Sequence, residues 1–133
     1  MFITEITVKL ADTDAAGVLF YGSYMKLAHE AYESFMEGIE FSLKHIISKS
    51  DFLLLIIHCE ADFKKPMRLG DKYSITLKVE NIGETSFVLD YSFTNTNAET
   101  LAVMKTVHVA IKKKNDQKIK LPENLRESLS KHV

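Results

Sequence analysis

The sequence predicts an α+β domain: one strand, one long helix, then four strands in succession. Three observations carry that expectation. The hydropathy period changes from two to the helical repeat near Ser23 and returns to two after Ser50. The later apolar runs are separated by short turn-forming stretches, too brief for crossover helices, so successive strands should pair antiparallel. A chain of 133 residues, 46% apolar and 26% charged, can bury one core and reads as a single domain over residues 1–133.

Each element has its own signature. Residues 2–10 alternate Phe2, Thr4, Ile6 and Val8 against Ile3, Glu5, Thr7 and Lys9, a strand with one face more polar. From Ser23 to about Gly38, Tyr24, Leu27, Ala28, Ala31 and Phe35 form a helical apolar stripe, which Met25, Tyr32 and Met36 widen. Lys26, Glu30, Glu33 and Glu37 form a separate polar stripe. Ser23 reads as the N-cap and Gly38 as the stop. A helix this apolar needs a broad surface to lie against, and a curved sheet supplies one. Residues 41–48 suggest a second, short helix.

Four strand-like runs follow. Phe52–Lys65 is long and rich in apolar residues. Lys72–Asn81 puts Tyr73, Ile75, Leu77 and Val79 on one face, and Ser86–Asn95 does so with Phe87, Leu89, Tyr91 and Phe93. Leu101–Lys112 groups Leu101, Val103, Val107, Val109 and Ile111. Opposite these sets lie Val88, Met104 and Ala110, an apolar second face that calls for a partner or another layer. Arg68–Asp71, Asn81–Glu84 and Asn95–Ala98 carry turn chemistry. After a charged loop at Lys112–Lys120, Pro122 opens a short last helix.

Bulk properties exclude several function classes. A net charge of −1 makes no electrostatic case for nucleic acid or an anionic membrane. One cysteine rules out an internal disulfide framework and fits a reducing compartment. The longest apolar run, Phe52–Ile57, is far too short to span a bilayer, and no secretory pattern opens the chain. The expectation is a soluble cytoplasmic protein.

The most informative stretch is Leu10-Ala-Asp-Thr-Asp-Ala-Ala-Gly-Val-Leu-Phe-Tyr-Gly-Ser-Tyr24. It places a carboxylate, Asp14, in a loop shortly before a helix N-terminus. The first N–H groups of a helix lack internal partners and carry partial positive charge. Such donors can hold a polarised carbonyl oxygen while the carboxylate attacks the carbon or activates water, which is what acyl transfer needs. The histidines show no metal-ligand spacing and read as structural, hydrogen-bonded groups. Cys59, in an apolar run, reads as a small buried hydrophobe. There is no Gly-rich phosphate loop and no Gly-x-Ser-x-Gly elbow.

The same stretch resembles the start of hotdog-fold thioesterases of the 4-hydroxybenzoyl-CoA thioesterase family, whose pattern is roughly D-x-D-x-x-G-V-x-[FYW]-x-x-x-Y. The likeness continues through His29–Glu33, Ile57–Phe63, Pro66–Asp71, Val107–Val109 and Leu121–Glu123, nearly the whole chain. In these details it is most similar to the branch that hydrolyses 1,4-dihydroxy-2-naphthoyl-CoA in phylloquinone and menaquinone synthesis. The resemblance implies a sheet of five antiparallel strands wrapped around a long central helix, and an acyl-CoA hydrolase with no metal or redox cofactor.

For the site, the resemblance implies that Asp14, three residues before Gly17, is the active carboxylate rather than Asp12. Its role as nucleophile or as general base stays open. The backbone N–H of Tyr21, with Gly22 beside it, would hold the thioester oxygen. Some members of the family carry histidine where this chain has Tyr21; an aromatic residue there fits the branch acting on aromatic acyl groups. Gly17, Phe20 and Tyr24 would contact the substrate, and Lys64, Lys65 and Arg68 would meet the phosphates of CoA, as could Lys112–Lys114. The rings of Phe20, Tyr21 and Tyr24, followed by Tyr32 and Phe35 on the helix, favour a flat aromatic acyl group. The implied assembly is a homo-oligomer, dimer or tetramer, with sheets paired edge to edge and sites between subunits. The rival readings are a broad fatty or aromatic acyl-CoA thioesterase and a non-catalytic acyl-CoA-binding module of the same fold.

Overall fold

The computed structural model describes residues 1–133. In chain order it contains β1 (Phe2–Thr7), α1 (Tyr21–Gly38), α2 (Leu43–Lys49), β2 (Phe52–Phe63), β3 (Lys72–Ile82), β4 (Ser86–Asn95), β5 (Thr100–Lys112) and α3 (Glu123–Ser130), with one 3-10 turn at Leu10–Asp12. The strands form one antiparallel sheet in the order β1-β3-β4-β5-β2. The sheet wraps α1, and the apolar stripe of that helix (Tyr24, Leu27, Ala28, Ala31, Tyr32, Phe35, Met36) shares one core with Tyr73, Ile75, Leu77, Phe87, Leu89, Tyr91 and Phe93. This is the hotdog arrangement. No helix is long and apolar enough to cross a membrane.

Both ends of α1 differ in detail from the expectation. The helix starts at Tyr21 and its N-cap is Phe20, so Ser23 lies inside the first turn and caps nothing. The cause is upstream. The Phe20 N–H donates to the Asp12 carbonyl at 3.0 Å, which fixes Phe20 in an extended conformation and launches the helix two residues early. At the other end Gly38 is still helical, and the left-handed residue is Glu40, with φ of 68°. The Phe41 N–H bonds back to the Met36 carbonyl at 2.8 Å and the Glu40 N–H to that of Glu37 at 3.1 Å. Those are the two bonds of a Schellman motif, here with glutamate rather than glycine at its left-handed position.

β5 also buries the face opposite to the one its sequence suggests, while Leu101, Val109 and Ile111 of the expected set are buried as well. Ala102, Met104, Thr106, His108 and Ala110 are buried, whereas Val103 and Val107 are only half-buried. Met104 and Ala110 therefore belong to the interior of the subunit, and they are not a surface awaiting a partner. Thr106 and His108 are tolerated inside because they bond to each other and to β4. Tyr91 Oη lies 3.0 Å from Thr106 Oγ1, which lies 2.7 Å from His108 Nε2. The His108 ring stacks on Phe87, with centroids 4.8 Å apart.

The apolar surface that does remain uncovered is on β2, an edge strand. Leu55, Ile56, Ile57 and Phe63 are all exposed, and a register shift between Ile56 and His58 leaves Ile57 in a bulge.

Candidate active site

The loop between β1 and α1 is built by its own short-range bonds. One carboxylate oxygen of Asp14, Oδ1, accepts from the N–H of Ala16 at 2.8 Å and of Val18 at 3.3 Å. The Asp14 N–H donates to the Val18 carbonyl, and the Gly17 N–H to that of Asp14. Gly17 closes the turn at φ of 75°, a conformation costly for any residue with a Cβ. A second turn clamps the loop from outside. The Leu69 N–H donates to the Gly17 carbonyl, Leu19 donates to Met67, and Val18 pairs with Arg68. That turn is held in its own right by Asp71, whose Oδ2 accepts from the Arg68 N–H at 3.0 Å.

Asp12 and Asp14 have separate surroundings. Asp12 is buried, and its Oδ1 takes an ion pair from Lys26 Nζ at 2.9 Å, which ties the loop to the second turn of α1. The hydrogen bond and charge of Asp12 raise the pKa of Lys26, so its ammonium is firmly retained. Asp14 is exposed and has no cationic partner within salt-bridge distance.

Asp14, Phe20, Tyr21, Tyr24, Lys64 and Lys65 line one groove of about 480 Å³, together with Leu19, Phe63 and Pro66. Tyr21 and Gly22 are the first two residues of α1, so their N–H groups have no intrahelical acceptor, and no turn or cap bond uses them. The Phe20 ring lies over Gly22, where an added Cβ would meet it at 2.8 Å. Tyr24 is buried against Phe63 and Phe93, at 4.7 and 5.4 Å between ring centroids, and burial pushes its phenol pKa up. Lys65 is ion-paired with Glu99, whose carboxyl is held below its usual range first by that hydrogen bond. Lys64 carries no such partner.

Other expected residues lie elsewhere. Gly17 shapes the loop without lining the groove, and Arg68 sits beside the loop, paired with Val18, outside the groove. Tyr32 and Phe35 are core residues: Tyr32 packs on His108 and Phe35 on Phe2 and His132. Lys113 of the basic run donates to the carbonyls of Ile47 and Ser50, closing the end of α2. His29 and His58 are exposed, and His58 pairs with Glu60 at 3.2 Å. Cys59 is exposed rather than buried, because β2 is an edge strand; its thiol lies 3.5 Å from the Met25 sulfur. Nearby apolar surface, and then Glu60, raise the thiol pKa. Sequence reading missed Phe63, Pro66 and Glu99. The one available signal was an aromatic residue beside two lysines at the end of an apolar run.

Comparison with known proteins agrees with this architecture. A 1,4-dihydroxy-2-naphthoyl-CoA hydrolase of Rippkaea orientalis is 36% identical over 125 residues, 92% of this chain and 91% of that one. One from Synechocystis is 37% identical over 123 residues, covering 92% and 89%. The crystal structure of a 1,4-dihydroxy-2-naphthoyl-CoA thioesterase from Synechocystis superposes with a TM-score of 0.91 at 35% identity, over 97% of this chain and 95% of that one. Residues 8–129 match the Thioesterase-like superfamily, and the chain belongs to that family.

Proposed function

We propose that the protein hydrolyses 1,4-dihydroxy-2-naphthoyl-CoA to the free acid and CoA, in the cytoplasm, as a step of quinone synthesis. The observation that carries the reading is one groove lined by Asp14, with one carboxylate oxygen free, and by Tyr21, whose N–H is unused at the start of α1; Gly22 follows it in the helix, outside the groove lining. Similarity to hydrolases of that name supports the choice of acyl group.

The reaction needs a nucleophile at the thioester carbon and donors for the oxygen that becomes negative. Asp14 supplies the first, either by attacking the carbon itself or by taking a proton from water that attacks. The N–H groups at the start of α1 supply the second, aided by the helix dipole. The C–S bond then breaks and CoA leaves as thiolate, a good leaving group that needs no strong acid. Lys64 and Lys65 at the groove are suited to the CoA phosphates. The rings of Phe20, Tyr21, Tyr24 and Phe63 suit a flat acyl group, each good ring pair adding about 0.5–1.5 kcal/mol.

The working unit in this reading is a homo-oligomer, a dimer or tetramer, joined through the exposed apolar edge of β2. The test is thiol release from a panel of naphthoyl, benzoyl and palmitoyl-CoA esters. The expected order has 1,4-dihydroxy-2-naphthoyl-CoA first in kcat/KM. A clear preference for palmitoyl-CoA removes the quinone assignment and leaves a general thioesterase. Tight binding with no thiol release leaves only a binding module.

A further inference from the structure

Gly22 and Gly38 both lie within α1, and the backbone requires glycine at neither. The left-handed glycines of the chain are Gly17 and Gly70. A helical position favours alanine, because glycine gives up more conformational freedom on folding. The surroundings of the two helical glycines differ. A Cβ added to Gly38 would meet nothing within 4 Å. A Cβ added to Gly22 would meet the Phe20 ring three times, at Cε2 (2.8 Å), Cδ2 (3.2 Å) and Cζ (3.9 Å). The first is well inside the separation at which carbon atoms pack. All three atoms belong to the far end of a side chain and none to backbone. A side chain at position 22 would therefore displace the ring and leave the helix in place.

The ring it would displace is a wall of the Asp14 groove. Phe20 is held by its backbone on both sides: its N–H donates to the Asp12 carbonyl at 3.0 Å, and its carbonyl accepts from the Ser23 N–H at 2.8 Å. Only the side-chain torsions remain to place the ring. Tyr21 limits it from one direction, with ring centroids 4.6 Å apart and planes tilted by 46°. Gly22 gives it room in the other. So seated, Phe20 is still 45% exposed, a ring face with no protein group across it. A wall that is already in place costs a ligand less than one that must be ordered on binding.

We propose that Gly22 is a specificity-determining positioning residue: by lacking a side chain it seats the Phe20 ring as the groove wall against which a flat acyl group packs. The proposal deepens the thioesterase reading above and rests on it. It is separate from any bond made by the Gly22 N–H, which alanine retains.

The test is Gly22→Ala, with two companions. Its melting temperature should equal or exceed that of wild type, since the helix gains a better former. The ratio of kcat/KM for 2-naphthoyl-CoA to that for butyryl-CoA should fall by about tenfold or more, carried by a higher KM for the naphthoyl ester. Gly38→Ala makes the same change in the same helix with nothing to touch, and should leave the ratio at its wild-type value. In a Phe20→Ala background there is no ring to move, so adding Gly22→Ala should lower the ratio no further.

An undiminished ratio in Gly22→Ala overturns the proposal. So does a further fall in the Phe20→Ala background, which would mean that the new Cβ meets the substrate itself. A matching rise in the inhibition constant of free CoA would set the ring against CoA rather than the acyl group, and the proposal would fall. Loss of the wild-type assembly in sedimentation would make the ring a subunit contact, with the same consequence. Wild-type protein that releases thiol from none of the esters removes the thioesterase reading and this proposal with it, a result recognised without any variant.

Discussion

Asp14 and Asp12 are two residues apart and do opposite work. Asp14 commits one oxygen to its own loop and leaves the other to the groove, so Asp14→Asn can preserve the turn, because an amide oxygen still accepts both N–H bonds. We expect that variant to keep the wild-type melting temperature and to lose at least about 100-fold in kcat. Asp12→Asn should do the reverse. It weakens the ion pair to Lys26 that ties the loop to α1, so the melting temperature should fall while kcat drops less. Thermal denaturation and thiol-release kinetics on both variants decide the matter. An equal loss of kcat in both would transfer the catalytic role away from Asp14 alone.

His108 makes a second prediction at this scale. Burial, and then the charge of His29, pushes its pKa down to about 3. In the unfolded chain the imidazole titrates near its ordinary value, about 6.5. Unfolded protein therefore binds more protons between those limits. The contribution of the neutral imidazole is complete above the unfolded value and is lost as pH falls towards the folded one, at up to about 1.4 kcal/mol per pH unit. Urea midpoints should decline from pH 6 to pH 4 in the wild type and decline less in His108→Gln. Parallel slopes would mean that other groups govern acid sensitivity.

At the scale of the elements, the end of α1 offers a direct test of backbone cost. Glu40 is exposed and left-handed, with φ of 68°. A side chain there is strained, whereas glycine is not, and part of the gain is returned as unfolded-state entropy. Glu40→Gly should stabilise the fold by about 0.5–1 kcal/mol, visible as a higher urea midpoint with unchanged slope. A lower midpoint would show that the Glu40 side chain contributes more than the conformation costs.

The elements also show what the sequence makes legible. The alternation in β3 and β4 identifies the inward residues correctly, since one face is wholly apolar and the other carries Lys78, Asp90 and Ser92. β5 defeats the same reading. Its inward set includes Thr106 and His108, and hydropathy cannot foresee that three polar side chains on two strands will satisfy one another. Exposure of Cys59 depends on strand order: the same apolar run would be buried at the centre of the sheet and is half-open at its edge. Ser23 was a plausible cap by composition, but the start of the helix is decided by a bond from Phe20 to Asp12, eight positions back. The local motif around Asp14 was readable because its bonds are local. Phe63, Pro66 and Glu99 come from a distant part of the chain and needed the fold.

On the scale of the whole molecule, the open edge of β2 is the feature that most needs company. Exposed Leu55, Ile56 and Ile57 beside unpaired backbone groups invite another strand. The protein should sediment as a dimer or larger at micromolar concentration. Ile57→Lys adds a charge at the bulge of that edge and should yield a folded monomer with little hydrolytic activity. A fully active monomer, in variant or wild type, would sink the shared-site reading. The outer face of the sheet is different in kind. There Lys105 bonds Glu80 at 2.8 Å and approaches Asp90 at 3.9 Å, and a face so charged is satisfied by water.

The hydroxyl and imidazole groups between β4 and β5 also act on strand alignment. Both strands alternate apolar and less apolar residues, so sliding one past the other by two positions would keep nearly every apolar side chain inside. Burial alone therefore discriminates weakly between the true alignment and its neighbours. Tyr91, Thr106 and His108 do discriminate. The 2.7 Å bond between Thr106 and His108 lies within β5, but the 3.0 Å bond from Tyr91 to Thr106 exists because Leu89 faces Thr106 and Tyr91 faces Met104. A slip of two residues that set Tyr91 opposite Ala102 would carry Thr106 away from it and leave the buried phenol hydroxyl without a partner, costing about 1–3 kcal/mol. The polar groups in this core thus act as a key for register, rejecting sheets that hydrophobicity would accept.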